Sequence, residues 1–365
     1  MIGNHGFGVL LGSLLVLTAC SKEEEKRHYV KPSPSVASSA SSATSVKVDE
    51  AKLGLFAPLP DVSVQTTPES KAKVVLGRLL FHDKRLSKDQ GESCNKCHNL
   101  ALFGADGTDF SPGFGGKPSD RNTPSIYDGA LEFAQFADGR AETTEDAVKA
   151  VLDDPVLMGK PGAAHIETTL RSIPAYAEAF KSAFPGDGEP VTLANTVSAI
   201  SAFTRGLVTP SRWDRFLKGD ATALTDDEKK GFTTFVDTGC TTCHVGALVG
   251  GTMYQILGKV KPWPNLSDKG RSRATQSAGD DMMFKVPSLR NVARTGPYFH
   301  DASAKTLADA VKKMATHQLG KELGDDDTKG IVLWLETLSA DASTLDAAPP
   351  ELPASTLATP KSVKK

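Results

Sequence analysis

The sequence carries almost no excess charge. Its 42 lysines and arginines oppose 44 aspartates and glutamates, a formal net charge of −2 over 365 residues. The cations are spread along the chain rather than clustered, so it offers neither a nucleic-acid-reading face nor a polybasic membrane patch, and no nucleic-acid partner is expected. The apolar run near the start, Val9 to Leu17, is too short to span a bilayer. Strand signals are few, which removes the βαβ setting a thioredoxin-like redox pair would need. Cysteine is scarce, with five in all, and no histidine stands between His98 and His165. Apolar residues make up 39% of the chain, enough for two cored domains at this length.

The N-terminal run ends in Leu17-Thr18-Ala19-Cys20. This resembles a bacterial lipobox, in which the cysteine becomes the lipidated first residue; the alternative is a plain secretory signal cleaved near Ala19. Either implies an exported protein, and the first implies a periplasmic one anchored to a membrane by lipid. Residues 1–20 are thus expected to be a signal peptide. Residues 21–55, charged and then rich in serine, alanine and proline, are expected to be a disordered tether. Residues 346–365 read as a loose tail with a short strap docked on the body. With Cys20 assigned to the lipobox, the other four cysteines form two pairs and none is left over.

Helix signals dominate between these ends. "PESKAKVVLGRLL" (68–80) opens with Pro68 and Glu69 and spaces Val75, Leu76, Leu79 and Leu80 as a helix face. Later the plan repeats. Thr225 and Glu228 form a capping box, Asp226 and Asp227 suit a helix N-terminus, and Phe232, Phe235 and Val236 make the apolar stripe. Further helical stretches are "TEDAVKAVL", "IETTLRSIPAYAEAFKSAF", "VTLANTVSAISAFTRGL", "TLADAVKKMATHQLG" and "TKGIVLWLETLSA". The expected fold is mainly α, with two similar modules, 56–218 and 219–345, meeting near Lys218-Gly219-Asp220, and long functional loops.

Each module has one C-x-x-C-H motif after a helix and a turn: Cys94, Cys97 and His98, then Cys240, Cys243 and His244. Two thiols so spaced lie on one side of a turn, and a histidine directly behind them can rise through its face. That pattern suits a haem held by two thioethers, with the imidazole on iron. Zinc binding, a redox pair and two short disulfides are the other uses of such thiols. A histidine behind both pairs favours two covalently bound haem c groups, with His98 and His244 as proximal ligands.

The strings "LGRLLFHDKRLS", "RNTPSIYDGA", "FADGRA" and "FKVPSLRNVARTGPYFHDASAKTLADAVKKM" resemble the bacterial di-haem cytochrome c peroxidase family, which includes MauG-type enzymes. The resemblance covers about residues 55 to 340. It implies two cytochrome c-like domains, a peroxidatic N-terminal haem, a high-potential C-terminal haem that receives electrons, and a calcium ion between them. It also implies Met314 as the second axial ligand of the C-terminal iron, where MauG has tyrosine. Asn122 and the carbonyls of Thr295 and Pro297 match the calcium ligands. His300 matches a histidine near the second haem, with propionate contact and plain packing both open.

The N-terminal side departs from the family. Phe114 stands where many members keep a removable distal histidine, Ala137 where they keep a tryptophan between the haems, and Leu157 where they keep a catalytic glutamate. Ala147 stands at a further family glutamine. Phe114 favours an open iron, and Leu157 removes a proton carrier. Asp153, Asp154, Met158 and His165 flank Leu157 as candidates to compensate, although solvation or packing is the default for each. His82, Trp213, Trp263 and Trp334 read as packing residues. The leading expectation is peroxide reduction, with electrons from a small c-type cytochrome or cupredoxin entering through the His244/Met314 haem; family members often form homodimers. The competing expectations are an electron carrier and a MauG-like oxidase acting on a partner protein.

Overall fold

The computed structural model describes residues 46–62 and 67–362. The signal segment, Cys20 and most of the tether lie outside them. The helices of six or more residues are α1 (Pro68–His82), α2 (Thr144–Leu152), α3 (Ala163–Arg171), α4 (Pro174–Ala183), α5 (Leu193–Arg205), α6 (Arg212–Leu217), α7 (Asp226–Thr238), α8 (Leu307–Met314) and α9 (Asp325–Glu336). The fold is mainly helical, as expected. Strand is confined to β1 (Tyr254–Ile256) and β2 (Met283–Lys285), antiparallel with Gln255 opposite Phe284.

Local chemistry explains the helix ends. Thr67 and Ser70 cap α1 reciprocally, and Pro68 at its first turn needs no amide partner. Thr225 and Glu228 form the expected box on α7, and Gly239, at φ 102°, ends that helix in the left-handed conformation that glycine tolerates. The stretch read as one helical run from Ile166 to Phe184 is two helices, because Pro174 denies Ile173 a helical conformation and restarts the chain as α4.

Two hydrophobic clusters organise these helices. The first joins Leu76, Leu80 and Phe81 of α1 to Ile166, Leu170, Tyr176, Phe180, Ile200 and Phe203. The second gathers Trp213, Phe232, Phe235, Ile331, Trp334 and Leu335 around Phe56. Its rings meet largely edge-on, as at Phe56–Trp213 (5.7 Å, 86°) and Trp213–Trp334 (5.4 Å, 84°). Each cluster holds a helix crossing that only glycine allows. A Cβ on Gly77 would lie 1.9 Å from the Ala199 carbonyl, and one on Gly231 would lie 1.9 Å from the Gly330 carbonyl. Trp213 and Phe56, which precede the junction expected near residue 218, both belong to the second cluster.

The ends of the described chain cross between these clusters. The tether expected to run to residue 55 is packed earlier: Asp49 caps the turn Glu50–Leu53, and Val48 and Leu53 lie against the second cluster. The Leu59 amide then donates to Asp214 (2.7 Å). At the other end, Leu345 and Ala347 pack on the first cluster and the following residues form a strap. Arg78 holds Asp346 (2.5 and 2.7 Å) and the Ala348 carbonyl (2.8 Å), while Gln90 donates to the Pro360 carbonyl (2.7 Å).

Beneath the second cluster, Arg290 and Asp214 form a fully buried bidentate pair (2.7 and 3.1 Å). Burial alone would raise the Asp214 carboxyl, but Arg290 and the amides of Leu59 and Ser211 outweigh it and hold the group below its usual value. Asp214→Ala would strand the guanidinium in the core and is expected to cost roughly 3–5 kcal/mol, measured by urea unfolding of the holoprotein.

Candidate haem centres

The two C-x-x-C-H motifs are built by different turns that close the same way. Cys94–Cys97 is one α-helical turn, and Cys240–Thr242 is a 3₁₀ turn. In both, the histidine amide donates to the carbonyl of the first cysteine, His98 to Cys94 (2.8 Å) and His244 to Cys240 (3.0 Å). That bond brings the two thiols of each pair onto one turn with the imidazole following. Between α1 and the first motif, buried Asp83 accepts from Arg85 (2.6 Å) and from the Tyr176 hydroxyl (2.6 Å).

Each imidazole is anchored through Nδ1. His98 Nδ1–H lies against the carbonyls of Pro124 (3.1 Å) and Gly104 (3.3 Å), and His244 Nδ1–H against that of Val249 (3.1 Å). This assigns the proton to Nδ1 and leaves the Nε2 lone pair for a metal, the arrangement that orients ligating histidines. Burial favours the neutral rings, lowering His98 and pulling His244 down to about 4. Burial pushes the Cys94 and Cys240 thiols up to about 12. All four cysteines are free, so neither pair forms a disulfide. Among the described residues no group of three or more His, Cys, Asp or Glu is arranged to hold a metal ion. Unlinked thiol pairs, each followed by an Nδ1-anchored histidine, fit haem attachment.

The loop after the first motif brings Phe114 and Leu157 together. The Phe114 amide donates to the Val156 carbonyl (2.7 Å), and its ring lies where a Cβ on Gly159 would meet it at 2.6 Å. Leu157 packs against the first cluster. The flanking residues are largely committed elsewhere. Asp154 Oδ1 accepts from the amides of Val156 (2.7 Å) and Leu157 (2.8 Å), Asp153 is exposed beside Lys160, and Met158 is buried in the core. His165 keeps a buried Nε2 without a partner, as does His82, whose Nδ1 contacts the Arg78 carbonyl (3.0 Å).

Beyond the second motif in the chain, Met314, Ala137, Phe299 and Leu257 pack against a small cluster of Trp263, Met282 and Phe284. Met314 ends α8, and the chain continues as a π-helical turn, Ala315–Leu319. His300 stacks on Phe284 (4.5 Å, 25°) with its buried Nε2 unpartnered. The Asn122 amide donates to the His300 carbonyl (2.9 Å), and Asn122 Nδ2 donates to the Thr108 carbonyl (2.8 Å). Asn122 Oδ1 and the carbonyls of Thr295 and Pro297 accept no hydrogen bond among the described residues. These are three uncommitted oxygens of the type calcium takes.

A residue that sequence reasoning passed over ties this region together. Arg121, beside Asn122, bonds Asp138 (2.6 Å) and, in bidentate fashion, Asp268 (2.6 and 2.9 Å). Asp268 lies 147 positions away, so no local pattern marks the pair.

With this geometry, the chain can be placed among known proteins. The family model for the di-haem cytochrome c peroxidases matches residues 71–222. The cytochrome c551 peroxidase of Pseudomonas aeruginosa is 41% identical over 315 residues, 84% of this chain and 90% of that protein. The methylamine utilization protein MauG of Methylorubrum extorquens is 30% identical over 303 residues, 79% of this chain and 84% of that one. A crystal structure of a MauG-like protein associated with microbial copper homeostasis superposes with a TM-score of 0.68 at 28% identity, covering 80% of this chain and 96% of that one. The chain therefore belongs to the di-haem cytochrome c peroxidase family, a family that implies two haem c groups, and it is a peroxidase-type oxidoreductase. No helix among the described residues is long and apolar enough to cross a membrane.

Burial would raise the Asp268 carboxyl, but the bonds from Arg121 and the Gly270 amide lower it from 3.8 to about 2. A depressed carboxylate contributes stability that is present above its unfolded value and is lost as pH falls through the folded one. Asp268→Asn is therefore expected to be less stable than wild type at neutral pH. Its stability should also fall less steeply as pH drops from about 4 to about 2, as measured by urea unfolding across that window.

Proposed function

We propose that this protein reduces hydrogen peroxide to water in the periplasm, taking two electrons and two protons per peroxide. A small c-type cytochrome or cupredoxin would supply the electrons through the His244/Met314 centre to the His98 centre. The observation that carries this reading is the pair of buried, neutral imidazoles, each anchored through Nδ1 and each behind a pair of free thiols. The haem irons, when bound, supply the redox chemistry. On this reading Cys94, Cys97 and His98 hold the first haem, within the half built on the first cluster. Cys240, Cys243, His244 and Met314 hold the second, within 219–345. With His244, Met314 would hold the second haem, and its thioether would raise that haem's potential, as an electron acceptor requires. The orphaned Nε2 of His300 suits a haem propionate, and Asn122, Thr295 and Pro297 supply oxygens for calcium. The lipobox at Cys20 would tether the protein to a membrane, and the protein would act as a homodimer.

The chain's own side chains favour peroxide binding over fast peroxide cleavage. Splitting the O–O bond needs a group that moves a proton from one oxygen to the other. Phe114 and Leu157 cannot, and Asp154 is held in its turn. This observation supports a second reading, an electron carrier or a MauG-like oxidase of a partner protein on the same scaffold. Steady-state turnover of peroxide by the calcium-loaded holoprotein with reduced donor separates them; turnover no faster than free haem would sink the peroxidase reading. If proton transfer is what the site lacks, Leu157→Glu is expected to raise turnover by roughly 10²–10⁴-fold, while the second haem's potential stays where it is.

A further inference from the structure

Three tryptophans occur in the chain, and two behave as packing residues. Trp213 and Trp334 are fully buried in the second cluster, and their indole nitrogens have no partner. Trp263 is built differently. It is 2% exposed within a run, 259–267, whose other residues are exposed or nearly so. Its Nε1–H donates to Asp301 Oδ2 (3.0 Å), and its ring meets Phe299 (4.6 Å, 62°) and His317 (5.0 Å, 61°) edge-on. Met314 packs against the cluster that Trp263 forms with Met282 and Phe284.

The loop that carries Trp263 is stitched to the turn that follows Met314. The amides of Val260 (3.0 Å) and Lys261 (3.1 Å) donate to the His317 carbonyl, and His317 Nδ1 bonds the Lys261 carbonyl (2.9 Å). Gln318 Oε1 accepts from the amides of Gly258 (2.6 Å) and Lys259 (3.1 Å), and its Nε2 donates to the Ile256 carbonyl (3.1 Å). Gly258 is required there: its φ is +82°, and a Cβ would lie 2.4 Å from the Trp263 backbone nitrogen. Trp263 therefore locks together three segments that meet around Met314: its own loop, the 299–301 turn and the π-helical turn. Methionine needs such a lock. Its side chain is unbranched with three rotatable bonds, so the position of its sulfur depends on what packs around it. π-helical turns of this kind are also common at functional sites.

We propose that Trp263, keyed by Asp301 and His317, is the positioning residue that fixes the Met314 sulfur on the second haem iron and so holds that haem's potential high. The inference rests on Met314 being the axial ligand. Removing the indole leaves a void beside a flexible thioether, which then samples other rotamers and yields its place to water. Trp263→Phe keeps a ring in the void but loses the bond to Asp301.

The test uses full-length holoprotein with haem content confirmed, in wild type, Met314→Ala, Trp263→Ala and Trp263→Phe. It reads the red-region sulfur-to-iron charge-transfer absorption and the midpoint potential of each haem. Wild type is expected to show the band, and Met314→Ala to abolish it. Trp263→Ala should lose most of the band and shift the second haem's potential downward toward Met314→Ala, with the first haem unmoved. Trp263→Phe should retain the band but lose it at a lower temperature than wild type, and it carries the test by itself if Trp263→Ala fails to mature. A wild-type band and potential in both Trp263 variants would overturn the proposal while leaving the ligand intact. A wild-type protein without the band would overturn the ligand assignment and the proposal with it.

Discussion

Arg121 is the charge around which the loop region is arranged. Its guanidinium, largely buried, meets two carboxylates from distant parts of the chain, Asp138 and Asp268. Removing one carboxylate would leave a buried charge under-compensated, so all three segments are held in one register. Asn122 is the next residue, and its amide bonds the His300 carbonyl. Ala137 precedes Asp138, and its carbonyl accepts the amide of Lys285 (2.8 Å) at the end of β2. Lys285 is itself buried in an ion pair with Glu132. Residues from before the junction and after it are thereby interleaved, and the oxygens suited to calcium lie within this interleaved region.

Below those loops the chain solves the same packing problem twice. In each cluster an amphipathic helix crosses a later helix at a glycine, Gly77 against Ala199 and Gly231 against Gly330, and then turns into a C-x-x-C-H motif. Close crossing brings backbones together and lets the rest of each face interdigitate. What differs is the company each histidine keeps. The first has two carbonyls at Nδ1 and an apolar pair, Phe114 and Leu157, on the following loops. The second has one carbonyl, and its half of the chain also builds the aromatic cluster at Met314.

Local features were legible in the sequence wherever a short segment decided its own structure. The helix at 68–82, the capping box at Thr225 and the two histidine-bearing turns follow from spacing and cap chemistry that a few residues express. The break at Pro174 was present in the sequence but was read through, because the apolar period continues across it. Long-range pairs carried no such mark. Arg121 with Asp268, Arg290 with Asp214 and the strap over Arg78 join residues 76 to 270 positions apart. Nothing in either partner's neighbourhood names the other. Trp263 packs as expected, but its bond to Asp301 exists only in three dimensions.

The contrast between the two centres also explains why the family is plainer than the activity. Attachment depends on the motif and the Nδ1 carbonyl bond, both supplied by a few adjacent residues and both present twice. On the proposed reading, reactivity at the first centre depends on what faces the iron, and the loops after the first motif offer the hydrocarbon of Phe114 and Leu157. An apolar pocket lowers the local dielectric and strengthens any charge interaction inside it, but it cannot relay a proton. His165, with a buried nitrogen that no neighbour satisfies, is the group near this loop whose hydrogen-bonding capacity is unspent. On the proposed reading the scaffold keeps its means of collecting electrons and has given up the usual means of delivering protons. The chemistry at the first iron is then set by how water fills that role.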